Sequence, residues 1–372
     1  MTVRRPLGRL ILLSVITAVA GNAIRAGVVT APSAESGELN VSVDPRIELL
    51  SVVQLLSGYV MGASLVNTDA TTYRRDLDVY FAPFRGHRAV TLFAEMYPKG
   101  FAFDVPPNVM LYFSNPPRLT QLQALPDDLK KRAGGERQLN EFIDALRDFA
   151  RVSRFMEFYR AHVRTYQRIV DNTRATAKGK HLVGVLESYL GMKQHSYNVF
   201  LMPLAIELGF GVNVKRSDGT LDIYQMIGRG SVNQGIPVFG AGGEFTLQHI
   251  VWHEFSHSFV NPLTAQHRAE VNKYQSLYQP IAMQMKQQAY ADWEHAVNEH
   301  IIRALTSRLT SRETSPAVGA AELQEDKSSG FLYVDALAQR LREYENNRSK
   351  YATFADFYPQ LLNVFAEAQA TK

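Results

Sequence analysis

His253 and His257 stand four residues apart, with Glu254 directly after the first, in the run EFTLQHIVWHEFSHSFVNP from Glu244 to Pro262. This is the HExxH spacing. On an α-helix a separation of four residues turns through about 400°, so the two imidazoles fall within roughly 40° of each other on one face. Two neutral imidazoles so placed suit a single divalent ion, zinc above all. The intervening carboxylate reaches a water on that ion without being a ligand itself. Such an ion brings the water's pKa towards ~7, and Glu254 takes the proton as the water attacks a carbonyl.

The chemistry requires a helix. Thr246 or Glu244 can cap its start, Asn261 and Pro262 end it, and neither Gly nor Pro falls between. Val251, Trp252, Phe255 and Phe259 gather opposite the histidines, while Leu247, Ile250 and Val260 add apolar surface elsewhere. The pattern predicts a helix buried on most sides, with the His face as its polar exception. A buried polar face needs partners.

A catalytic zinc centre takes a third protein ligand and leaves the fourth position open. The position six residues after His257, where metzincins carry a third His, is Leu263. Downstream candidates are His267, Glu270, Asp292, Glu294, His295, Glu299 and His300. Residues 289–309 read as a strong helix with an apolar stripe of Trp293, Val297, Ile301, Ala304 and Leu305. Glu299 lies about 160° from the centre of that stripe, and Ile302 and His295 flank it. A second buried contact of this helix is the expectation.

The chain as a whole supplies room for such a site. With 372 residues and 46% hydrophobic content it can build a sizeable core. The net charge of +4 does not indicate a nucleic-acid partner: Arg4, Arg5, Arg9 and Arg25 precede Gly27, and without them 36 basic residues face 36 acidic ones. The same first 26 residues read as a secretory signal peptide. A basic start precedes an apolar run of about 11 residues, Leu10 to Ala20, and Ala18-Val19-Ala20 or Ala26 offers a cleavage point. The run falls short of the roughly 20 residues that span a bilayer, so cleavage and export, periplasmic or extracellular, are expected rather than stable membrane insertion. The absence of cysteine removes disulfides, thiol nucleophiles and lipid-anchoring cysteines.

Residues 27–40 read as a linker, and VSVDPR as a short strand and turn leading into the apolar helix IELLSVVQLLSGY. Glu48 lies near that helix's start, where an acidic residue complements the dipole. Residues 139–170 read as one long amphipathic helix or two joined ones. SYNVFLMPL from Ser196 and LDIYQMIG from Leu221 read as antiparallel strands, with a turn at Ser217–Gly219. Thr310 to Gly330 reads as a polar loop. Phe354 to Ala368 closes the chain as a helix.

HEFSH, followed at a distance by Asn298-Glu299 and Arg303-Ala304, resembles the gluzincin zinc peptidases. More narrowly, VDPRIELLSVVQLLSGY, HEFSHSFVNP, NEHIIRA and GFLYVDALAQRLREYE together resemble a bacterial family of exported proteins catalogued as a domain of unknown function. The gluzincin resemblance implies one Zn²⁺ per chain held by His253, His257 and Glu299, with Glu294 or Glu270 as replacements for Glu299. It implies an extra helix around residues 265–288 to span the gap. It also implies Glu254 as general base, and an oxyanion donor for which Tyr333 is the candidate. Arg303 would orient a carboxylate. The expected architecture is α+β and mostly α-helical. It comprises a helical N-terminal region over 41–179 and a zincin-like region with a small antiparallel sheet over 180–372. The expected substrate is a peptide or protein, with a zincin-fold binding protein or an amidase of cell-wall peptides as alternatives.

Overall fold

The computed structural model describes residues 38–59, 71–206, 209–240 and 246–371. The expected signal peptide over residues 1–26, residues 27–37 of the expected linker and Glu244 lie outside them. The chain is mostly helical with a small sheet, the α+β class expected. It divides into two compact units. One holds the sheet and lies within 38–184 and 194–251; the other comprises 185–193 and 252–371.

In the sheet unit, strands β1 (Leu39–Ser42), β2 (Ser196–Ile206), β3 (Gly209–Lys215) and β4 (Leu221–Arg229) lie in the order β1-β2-β4-β3. β2 runs parallel to both β1 and β4, and only β3 and β4 pair antiparallel. This corrects the expectation of an antiparallel sheet. The apolar run in β2 is a central strand covered on both faces, as parallel strands are, and β1 reaches its edge from the far end of the sequence. The turn between β3 and β4 is set by Asp218, whose Oδ1 accepts from the Thr220 N–H at 2.9 Å, and by Gly219 at φ +89°.

The helix Pro45–Leu56 starts two residues before the expected IELLSVVQLLSGY, inside the stretch read as a turn. The Asp44 side chain accepts from the N–H groups of Arg46 at 2.9 Å and Ile47 at 3.4 Å, and Pro45 needs no donor in the first turn. Residues 136–175 form three helices, Glu136–Val152, Phe155–Ala161 and Val163–Ala175, rather than one or two. The first break falls at Arg154, whose φ of +50° a continuous helix cannot contain.

Glu48 does more than complement a dipole. It is buried, accepts a hydrogen bond from the Tyr73 hydroxyl, and among the described residues leaves Oε2 without a partner. Tyr166 in turn donates to the Tyr73 hydroxyl at 2.9 Å. Burial pushes the Glu48 carboxyl up to about 7, and the Tyr73 bond opposes this only in part.

The other unit is built around the helix Trp293–Glu313, capped by Asp292, whose Oδ1 accepts from the His295 N–H at 3.0 Å. Short helices Arg268–Lys273 and Ala282–Gln287 fill the stretch where an extra helix is expected. Residues 316–328 are a helix, not the loop the sequence predicts. Its start has the ordinary chemistry: Ser315 Oγ accepts from the Val318 N–H at 3.2 Å and Pro316 follows. Gly319 lets it approach its neighbour closely, since a Cβ there would lie 2.5 Å from the Ser307 carbonyl oxygen. Helices Val334–Asn346 and Phe354–Ala370 complete the unit. Among the described residues no helix is long and apolar enough to cross a membrane.

Between pH 4.5 and about 7 the folded chain retains a Glu48 proton that the unfolded chain releases. Stability therefore falls as pH rises through that window, by about 3 kcal/mol. Glu48→Gln should remove this component. The check is urea unfolding of both proteins at pH 5 and pH 8, and the same loss in the variant would show that another group is responsible.

Candidate metal centre

Thr246 caps the motif segment, its Oγ1 accepting from the His249 N–H at 3.2 Å. Residues Leu247–His249 are α-helical, Ile250–Glu254 wind as a π-helix, and His257–Gln266 are α-helical again. A tight turn joins the last two, with Ser256 N–H on the His253 carbonyl at 3.1 Å. The wide turn falls on the HE pair itself, and π turns concentrate at functional sites. All seven apolar residues expected to be buried are buried, from Leu247 to Val260.

The sequence expectation that Asn261 and Pro262 end the helix is corrected. It continues to Gln266 with Pro262 inside. Pro262 cannot donate to the carbonyl one turn back, but Val260, Leu263 and Thr264 are buried beyond the point of interruption or beside it. Thr264 bonds both Asn298 and, at 2.6 Å, the Tyr358 hydroxyl. Tertiary contacts thus outweigh one missing hydrogen bond.

His253, His257 and Glu299 are all buried, and one ligand atom from each lies within 4.8 Å of the others. His253 Nε2 is 3.6 Å from Glu299 Oε2, and His257 Nε2 is 3.2 Å from Glu299 Oε1. Two atoms about 2.1 Å from a tetrahedral ion stand about 3.4 Å apart, so these spacings fit a common metal. His257 Nδ1 lies 3.3 Å from Asn261 Oδ1, an acceptor that favours the proton on Nδ1 and leaves the Nε2 lone pair towards Glu299. That Nε2 makes no hydrogen bond of good geometry although it is buried. The donor set is one that a cation completes, and the trio could hold a metal ion.

The electrostatics agree. Burial alone would raise the Glu299 carboxyl, yet His253, His257 and Arg303 hold it well below the usual carboxylate range. Burial alone would lower His257, but Glu299, Glu254 and Asn261 raise it. A field that favours a proton at His257 favours any cation there. Arg303 Nε donates to Glu299 Oε2 at 3.2 Å, and its Nη1 to Asp326 Oδ1 at 2.6 Å. The guanidinium lies over the Phe331 ring at 4.2 Å, and its charge acts on the Tyr290 phenol.

Residues 39–364 match the family described as Domain of unknown function (DUF4932). The chain belongs to that family. No curated protein and no solved structure matches it.

The remaining candidates in this DUF4932 chain are engaged elsewhere. Glu294 bonds Arg268 at 2.7 and 3.0 Å, Glu270 bonds Lys273 and, at 2.6 Å, Tyr274, and His295 bonds Asp292 at 2.8 Å. His267 stacks on Tyr358 with ring centroids 5.4 Å apart. His300 is fully buried, with Nδ1 on the Ala296 carbonyl at 2.6 Å and its pKa lowered to about 4 by burial. The Tyr333 hydroxyl donates to the Leu277 carbonyl at 2.8 Å, and its ring packs among Trp293, His300 and Phe365.

Tyr290, which the sequence reading passes over, lies within the electrostatic field of the trio's Glu299. Burial and the charges of Glu299 and Glu254 raise its pKa while Arg303 opposes them, so the phenol stays protonated. Its ring is 6.0 Å from Phe331. No spacing rule marks it, because it precedes the Glu helix across a turn.

Removing a ligand should cost more than the roughly 10–100-fold in metal affinity typical of outer-shell changes. Glu299→Ala and His257→Ala are expected to lose the ion on dialysis, and Glu294→Ala to keep it, as read by elemental analysis. Equal metal content in Glu299→Ala and wild type would place the third ligand elsewhere.

Proposed function

We propose that this DUF4932 protein is an exported, zinc-dependent peptidase of gluzincin-like chemistry. The observation that carries the reading is the convergence of two imidazoles and a carboxylate in a buried site, with a second buried carboxylate, Glu254, beside the first imidazole. Two nitrogens and one oxygen are a donor set suited to Zn²⁺. The signal-like start of the sequence supports work outside the cytoplasm.

Zn²⁺ held by His253, His257 and Glu299 supplies Lewis acidity towards a peptide carbonyl. Glu254 takes the proton of the attacking water and passes it to the leaving amine. The action of its charge on both His257 and Tyr290 supports this role for Glu254. Tyr290 donates its phenol proton as a hydrogen bond to the carbonyl oxygen as negative charge develops. Burial and the charges of Glu299 and Glu254 keep the Tyr290 phenol protonated, which supports its use as a donor. Tyr333 takes no part in this scheme, since its hydroxyl is committed to Leu277.

Digestion of casein or an unstructured peptide library should be abolished by a chelator and restored by Zn²⁺. Glu254→Gln should retain zinc and lose roughly 10²–10⁴-fold in turnover. Tyr290→Phe should lower kcat by roughly 10²–10³ with KM nearly unchanged, and Tyr333→Phe should leave kcat intact. Undiminished hydrolysis by Glu254→Gln would sink the mechanism. Zinc uptake without hydrolysis of any peptide, cell-wall peptides included, would leave a zincin-like binding protein as the better reading.

A further inference from the structure

We propose that Asp326 and Arg303 form a positioning pair that fixes the ligand carboxylate of Glu299 and sets the affinity of the site for its ion. The proposal rests on the metal centre described above and extends it to a helix outside the motif.

A guanidinium beside a cation site is unfavourable in itself, because it repels the ion and draws charge from the ligand it bonds. Arg303 stands in that position, with Nε 3.2 Å from Glu299 Oε2. Its side chain and that of Asp326 are both 13% exposed, so solvent screens their charges only weakly. The Asp326 carboxylate, 2.6 Å from Nη1, cancels the charge that Arg303 brings. What remains of Arg303 is geometry. Its planar fork is fixed by Glu299, Asp326 and the Phe331 ring, so it holds one oxygen of Glu299 and leaves Oε1 towards His257. Lysine offers no such fork.

Asp326 reaches Arg303 because of helix packing. It lies in the last turn of the helix Pro316–Ser328, which Gly319 allows to sit against Trp293–Glu313, and Ser307 Oγ donates to the Gly319 carbonyl at 2.8 Å. The helix that the sequence reads as a polar loop thereby supplies the counter-charge of the site. This is the role that outer-shell carboxylates play around metal ligands generally.

The test is Zn²⁺ affinity of the full chain by chelator competition, with the absorption spectrum of the Co²⁺-substituted protein as a second readout. Asp326→Asn keeps the shape but leaves Arg303 uncompensated, and affinity should fall about 10-fold or more with a changed Co²⁺ spectrum. Asp326→Glu, which keeps the charge, should retain most of the affinity. The double variant Arg303→Gln with Asp326→Asn should bind more tightly than Asp326→Asn alone, because both charges are gone. A structural role without electrostatic coupling would make the double variant no better than the single. Should Asp326→Asn not fold, Arg303→Lys is read instead and is expected to bind the ion more weakly while melting as wild type. Equal affinity across these variants and wild type would overturn the pair while leaving the metal centre standing. A wild type that takes up no ion would overturn the metal centre and the pair with it.

Discussion

The unit that carries the motif depends on one constraint: two imidazoles and a carboxylate lie together out of solvent. Buried polar groups are tolerated only when each has a partner. The surrounding structure supplies them. Asn261 stands at the back of His257 and Arg303 on Glu299, and Asp326 answers Arg303. Thr264, Asn298 and Tyr358 form a buried hydroxyl and amide network between the two helices that bear the trio. Thr306 adds a bond to the Trp252 carbonyl at 3.4 Å, next to His253.

The same constraint accounts for backbone irregularities that local propensity would not choose. The motif segment winds wide at Ile250–Glu254 and tight after it, and then carries a proline. Each departure weakens the local ladder of hydrogen bonds. Burial on nearly every side holds the segment in place, for Trp252, Phe255, Phe259 and Val260 are all in the core. Gly319 is the complementary device. It gives up helix propensity to allow an approach that any side chain would block.

The sheet unit meets the problem of a buried acid differently. Among the described residues Glu48 has two tyrosine hydroxyls in series and no cation, so burial shifts it towards the neutral form. Glu299 is as deeply buried and is held ionised, because two imidazoles and a guanidinium surround it. Two buried glutamates in one chain thus differ in charge state through their neighbours alone.

The sequence by itself determined the mostly helical α+β class, the HExxH helix with Thr246 among its candidate caps, and the long helix that carries Glu299. These rest on periodicity and capping chemistry, which act over a few residues. It also supplied, through resemblance, Glu299 as the candidate that the structure brings to the two histidines. It did not reveal that β2 pairs in parallel, that the helix passes through Pro262, or that residues 316–328 are helical. Nor did it separate Tyr290 from Tyr333. Both are tyrosines in apolar surroundings, and only folding decides that one hydroxyl meets Leu277 while the other falls within the field of Glu299, Arg303 and Glu254. Pairing across a sheet, acceptance of a helix-breaking residue and the direction of a phenol are set by contacts between distant segments. Local sequence carries no record of those contacts, and the tertiary structure alone decided them.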